Sequence, residues 1–161
     1  KVEQEEYQAA IGILNRILNL QNSLVKAEAQ YRIAEIHEQM PTGGADRSIE
    51  QYRLVAQRFP DSEYAGRALS KLVDYHIETN DLSQANDLLE QVFQDHPDAQ
   101  FLDSMLIKWV LVAYRRGDFK TAHEKCTELI FQYPSSRFAE RAKTILPRIE
   151  ARLNTATQPE S

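Results

Sequence analysis

The chain has 161 residues, 42% hydrophobic and 27% charged, with only 5 Gly and 6 Pro; this suffices for one domain with a continuous core and is unlike a low-complexity or disordered composition. The formal net charge of −5 argues against a general nucleic-acid binder, because neutralising phosphates takes a basic surface. No window approaches roughly 18 consecutive apolar residues, the length of a membrane span, and a lone cysteine, Cys126, provides neither an internal disulfide nor a thiolate metal framework.

In chain order, apolar residues at helical spacing predict helices over 3–20, 24–40, 46–59, 62–80, 82–95, 99–116, 118–132 and 136–153, with a flexible tail at 154–161. The first presents Tyr7, Ala10, Leu14 and Ile17 on one face, while Ile11, Leu18, Ile13 and Leu20 remain apolar besides. The second carries Tyr31, Ile33, Ala34 and His37, and the third Ile49, Tyr52 and Val55, across the glycine-bearing loop 41–45. Leu69, Leu72, Val73 and His76 form the buried face of the fourth, matched one period later by Leu106, Trp109, Val110 and Ala113. Leu82, Ala85, Leu89 and Val92 correspond in the same way to Phe119, Ala122, Cys126 and Leu129. The small residue, Ala85 or Ala122, is expected where two helices approach too closely for a larger side chain.

Three prolines fix the period: Pro60, Pro97 and Pro134 are each 37 residues apart. Phe59, His96 and Tyr133 precede them, Asp61, Asp98 and Ser135 follow, and then Tyr64, Phe101 and Phe138 recur. Proline cannot continue the preceding helix's hydrogen bonds, and the Asp or Ser after it is expected to cap the next helix. A second stop and start falls at Asn80-Asp81 and Gly117-Asp118. Asn or Gly suits the left-handed position closing a helix, Asp caps the next one, and Gln84 completes a capping box with Asp81. Each unit is thus two helices on a short turn, forced to pack antiparallel. The expected organisation is a single solenoid over 1–153: the second helix of a truncated repeat (3–20), repeats at 24–59, 62–95 and 99–132, and a capping helix at 136–153.

Catalytic and metal motifs are weak. His123 and Cys126 stand three apart on one helix, but Cys126 takes the inward slot of Leu89, so packing is the better reading than a thiol nucleophile with its base. His37 and His76 recur because the repeat recurs, with no third ligand nearby to make a metal site. Pro41 and Thr127 stand where His-Glu-x-x-His would need its second histidine after His37-Glu38 and His123-Glu124. No Gly-rich phosphate loop or serine-nucleophile motif is present, so no cofactor, metal or catalytic residue is expected and the chain is not read as an enzyme.

Large first-helix residues, the run Gly117-Asp118-Phe119 followed by Ala122, and a closing proline resemble the tetratricopeptide repeat (TPR) family across nearly the whole chain. The phrase from Phe59 to Ala65 and its echo from Tyr133 to Ala139 are similar to TPR domains of bacterial cell-envelope proteins, of the outer-membrane β-barrel assembly lipoprotein and Tol–Pal coordinator type. The resemblance implies an all-α fold, a right-handed superhelix whose first helices line a concave, partner-binding groove. In the family register that groove takes Glu28, Tyr31, Arg32, Glu35 and Glu38, then Arg67, Ser70, Lys71, Asp74 and Ile77. Ser104, Ile107, Lys108, Leu111 and Tyr114 follow, and then Arg141, Thr144 and Arg148. Glu35, Asp74 and Leu111 occupy the positions where chaperone-tail binders of the family carry Asn, and two carboxylates there would repel a terminal carboxylate.

Tyr31 and Tyr114 read equally as peptide-binding aromatics or as ordinary, partly exposed helix residues. Lys108, Arg115, Arg141 and Arg148 read as a site for an acidic partner or, the simpler alternative, as a solvated charged face. Residues 1–100 hold 9 Lys and Arg against 17 Asp and Glu, while residues 101–161 hold 10 against 7, an asymmetry suited to orienting a partner. The expected function is a non-catalytic scaffold holding a protein or peptide segment, with no nucleic acid and no membrane insertion. The alternative is a structural or oligomerisation segment of a larger multi-repeat protein, self-associating through the apolar N-terminal helix. The chain begins at Lys1 rather than Met, as expected of an excised or processed piece. The envelope resemblance suggests the bacterial periplasm, with the cytoplasm left open.

Overall fold

The structure is a computed structural model describing residues 2–20 and 23–156. It is all-α: α1 (Val2–Leu18), α2 (Ser23–Gln39), α3 (Gly44–Arg58), α4 (Glu63–Glu78), α5 (Leu82–Asp95), α6 (Leu102–Arg115), α7 (Phe119–Gln132) and α8 (Arg137–Ala156), with no strand among the described residues. Each corresponds to an expected helix. At the C-terminus, 154–156, expected to open a flexible tail, instead finish α8, while 157–161 lie outside the described residues.

The turns follow from local chemistry, with two corrections, the first being that Asp98 does not cap α6, whose N-cap is Phe101 with no side-chain cap. Asn80 (φ 59°) and Gly117 (φ 76°) are left-handed, and the next amides reach back, Asp81 N–H to His76 O at 2.8 Å and Asp118 N–H to Ala113 O at 2.9 Å. This is the six-to-one closure of a glycine or asparagine helix end. Each aspartate then starts the following helix, accepting from Gln84 N–H at 3.3 Å and from Thr121 N–H at 3.0 Å. After Pro60 and Pro134, however, the caps fall one residue later than expected. Ser62 Oγ accepts from Ala65 N–H at 3.2 Å and Ser136 Oγ from Phe138 N–H at 3.1 Å, because α4 and α8 start at Glu63 and Arg137. Such a cap contributes about 1 kcal/mol.

The chain forms two compact units, residues 1–75 with 94–96, and residues 76–93 with 97–161. In the first unit α1 packs on α2 and α2 on α3. Its buried side chains include Ala27, Ile33 and Ala34 of α2, Tyr52 and Val55 of α3, and Ala68, Leu69, Leu72 and Val73 of α4. Two glycines make the α2–α3 turn. Gly43 is left-handed at φ 65°, and a Cβ on Gly44 would collide with the His37 carbonyl oxygen and stand 2.9 Å from Met40 Cβ.

In the second unit α7 packs on both α6 and α8. One cluster joins Leu106, Val110 and Ala113 with Ala122, Cys126 and Leu129 and with Ala142 and Ile149. Ala85 and Ala122 are fully buried, as close helix packing requires. Trp109 is buried too, its Nε1–H donating to Asn86 Oδ1 at 3.0 Å and its ring 5.2 Å from Phe93.

Candidate protein-interaction site

The expected groove residues divide into a set whose groups satisfy one another and a set that lines a cavity. In the first unit, α2 and α4 carry Glu28, Tyr31, Arg32, Glu35, Glu38, Arg67, Ser70, Lys71 and Asp74. Arg32 pairs with Glu28 at 3.5 Å and Glu35 at 2.7 Å along α2, and Arg67 with Glu63 at 3.6 Å along α4. Lys71 Nζ donates to both Glu38 oxygens at 3.0 Å, and the Tyr52 hydroxyl donates to Glu38 Oε2 at 2.7 Å. Burial pushes the Glu38 carboxyl up, but hydrogen bonds from Tyr52 and Lys71 and the Lys71 charge together outweigh it and hold the carboxyl below its ordinary value.

Tyr31 is more deeply buried than either of its two expected readings had it. It is buried, with ring centroids 5.3 Å from Tyr52 and 5.5 Å from Tyr64, so it is part of the unit's aromatic packing and not a surface anchor.

In the second unit α6 and α8 enclose a cavity of about 380 Å³ lined by Ser104, Ile107, Lys108, Leu111, Tyr114, Arg141 and Arg148, all expected groove residues, together with Val110, Phe138, Ile145 and Ile149. This volume falls within the roughly 300–1,000 Å³ of ligand pockets. Its wall is apolar, Leu111 being 44% exposed, and its charged side chains are all basic. Phe138, Arg141, Ile145 and Arg148 recur at three- and four-residue steps on α8, with Ile149 four after Ile145, the spacing of one helix face. In the repeat register Phe138 is a repeat marker and Val110 a core residue, and neither Ile145 nor Ile149 is among the expected groove positions. The α8 spacing was the available signal.

Two expected groove residues, Thr144 and Ile77, are not among those lining the cavity. Thr144 Oγ1 donates to Glu140 O at 3.0 Å on its own helix. Ile77 offers its carbonyl to Arg115 Nη1 at 3.3 Å, and Arg115 Nη2 donates to Asn80 Oδ1 at 2.6 Å. Arg115 therefore ties a helix end and leaves the basic set at the cavity to Lys108, Arg141 and Arg148.

Cys126 is fully buried, its thiol donating to Ala142 O at 3.3 Å, with burial, and then the Glu150 charge, pushing it up to about 11. The thiolate a nucleophile needs is absent near neutrality. His123 Nε2 lies 3.7 Å from Glu150 Oε1. His37 and His76 are both buried.

Helices closed by left-handed Asn or Gly and restarted by capping Asp or Ser, with α2 packed on α3 and α6 on α7, make a helical architecture that resembles proteins of tetratricopeptide type. Residues 28–62, which contain most of α2 and all of α3, match the family model described as tetratricopeptide repeat. The chain is also similar to the outer membrane protein assembly factor BamD of Pasteurella multocida (strain Pm70), 26% identical over 141 residues that cover 76% of this chain and 54% of the relative. It thus spans about half the length of that relative and resembles TPR proteins of the cell envelope.

Proposed function

We propose that the chain is a non-catalytic docking scaffold of a bacterial envelope assembly, holding a segment of a partner protein against the α6–α8 cavity. The observation that carries this reading is the convergence of seven expected groove residues on one apolar, basic-edged cavity, against an α2–α4 face whose charges are matched internally. Similarity to an outer membrane assembly factor supports the envelope setting. Site-specific photo-crosslinking in cells tests it. A crosslinker at Leu111 is expected to trap a defined envelope protein, and Arg141→Glu to abolish that adduct. No adduct at Leu111, or one indifferent to Arg141→Glu, would count against the reading.

A second reading rests on α1 and its surroundings. Ile13, Leu20 and Val25 are 59%, 55% and 41% exposed, and such apolar side chains suit contact with a second copy or with further repeats. Light scattering decides whether copies associate: a monomer at every concentration would remove the self-association option.

A further inference from the structure

The α6–α8 cavity is specific in its chemistry, and the geometry points to an acidic amphipathic helix as its occupant: a large apolar residue flanked one turn to either side by Asp or Glu. This rests on the docking reading above and names the partner class. Arg141 and Arg148 are seven residues apart on α8, about 10 Å along the axis, with Ile145 between them on the cavity wall. Both arginines are exposed, and the α8 carboxylates Glu140 and Glu150 pair with other cations, Lys143 and His123. The order along α8 is therefore basic, apolar, basic. A ligand helix with carboxylate, apolar and carboxylate groups at the same steps presents the complementary stripe, in the helix-in-groove manner.

The apolar wall supplies what a simple polyanion site lacks. Leu111 and Tyr114 on α6 face the same cavity as Phe138 and Ile145 on α8, so the central side chain leaves water while the flanking carboxylates meet guanidinium groups able to bind them bidentately. A nucleic acid has no aliphatic side chain to set against that wall between two anionic groups.

The test uses the whole chain and synthetic helices of about 18 residues, long enough to form in water, acetylated and amidated so that no terminal carboxylate takes part. One peptide has a central Leu with Glu one turn to each side; in a second those Glu are Gln, and in a third the Leu is Ser. Fluorescence anisotropy is expected to show saturable binding of the first alone, weakened about tenfold or more by Arg141→Glu or Arg148→Glu and by Leu111→Asn, and falling with added salt. These exposed positions leave the fold intact, checked by unchanged melting. Equal binding of the Gln peptide, or equal competition by a single-stranded oligonucleotide, overturns the inference. So does self-association of the chain that Arg141→Glu abolishes. Panning a peptide library separates the two levels of argument. Neutral or basic peptides that shift the Leu111 and Ile145 methyl resonances would overturn the acidic helix while leaving the docking scaffold in place, whereas no peptide shifting those methyls would remove both.

Discussion

The Tyr52 hydroxyl on α3 donates a 2.7 Å hydrogen bond to the Glu38 carboxylate on α2, pinning two helices of one repeat through a group that also receives Lys71 of the next first helix. One carboxylate thus gathers three helices. Tyr52 is almost completely buried, whereas the Glu38 side chain is 45% exposed.

Tyr52→Phe keeps the ring and removes the hydroxyl, and water can reach Glu38 in its place, so the expected loss is at the low end of a charged hydrogen bond, about 1 kcal/mol. Urea unfolding measures it. Because the Glu38 carboxyl is depressed when folded, its contribution is complete above the unfolded pKa and lost as pH falls through the folded one. The variant should therefore lose less stability than the wild type on acidification below the ordinary carboxylate range.

His37 is held below its ordinary 6.5, first by burial and then by the Arg47 charge, and among the described residues its buried Nδ1 has no hydrogen-bond partner. A depressed folded pKa again gives stability present above 6.5 and lost as pH falls through the folded value. Thermal melts of wild type and His37→Leu should converge in slope at neutral pH and diverge below 6.5, with the wild type the steeper.

Gly44→Ala forces a methyl against the His37 carbonyl and Met40, an overpacked turn expected to cost roughly 1–3 kcal/mol. Gly12, with nothing within 4 Å of a built Cβ and a helical backbone, is the control: Gly12→Ala should stabilise by roughly 0.5–1 kcal/mol. Chemical denaturation of the pair checks both signs.

Cys126 should resist thiol reagents while the protein is folded, since its sulfur is buried and its acidity suppressed to about 11. Labelling is expected to track opening of the α6–α7–α8 cluster, with its rate rising as denaturant is added. Fast labelling in buffer would mean the thiol is reachable from solvent.

Much of the fold was legible because it is local. The left-handed turns at Asn80 and Gly117 and the caps at Asp81 and Asp118 depend on residues within one turn of each other. The capping serines were misplaced by one because proline marks where a helix must stop more sharply than where the next begins. The cavity was half legible. The family register supplied Ile107, Leu111 and Arg141, but not Ile145 or Ile149.

What the sequence determined by itself was where the helices of the described residues fall, the packing of α2 on α3 and of α6 on α7, and their buried faces, since a repeating apolar period leaves an amphipathic helix one way to hide that face. Tertiary structure decided which candidate groove residues remain available. Tyr31 and Leu111 both look like surface anchors in a one-dimensional register, yet Tyr52 and Tyr64 close over the first, while α6 and α8 leave the second open at a cavity. Such availability depends on side chains meeting from helices tens of residues apart, which no local periodicity encodes.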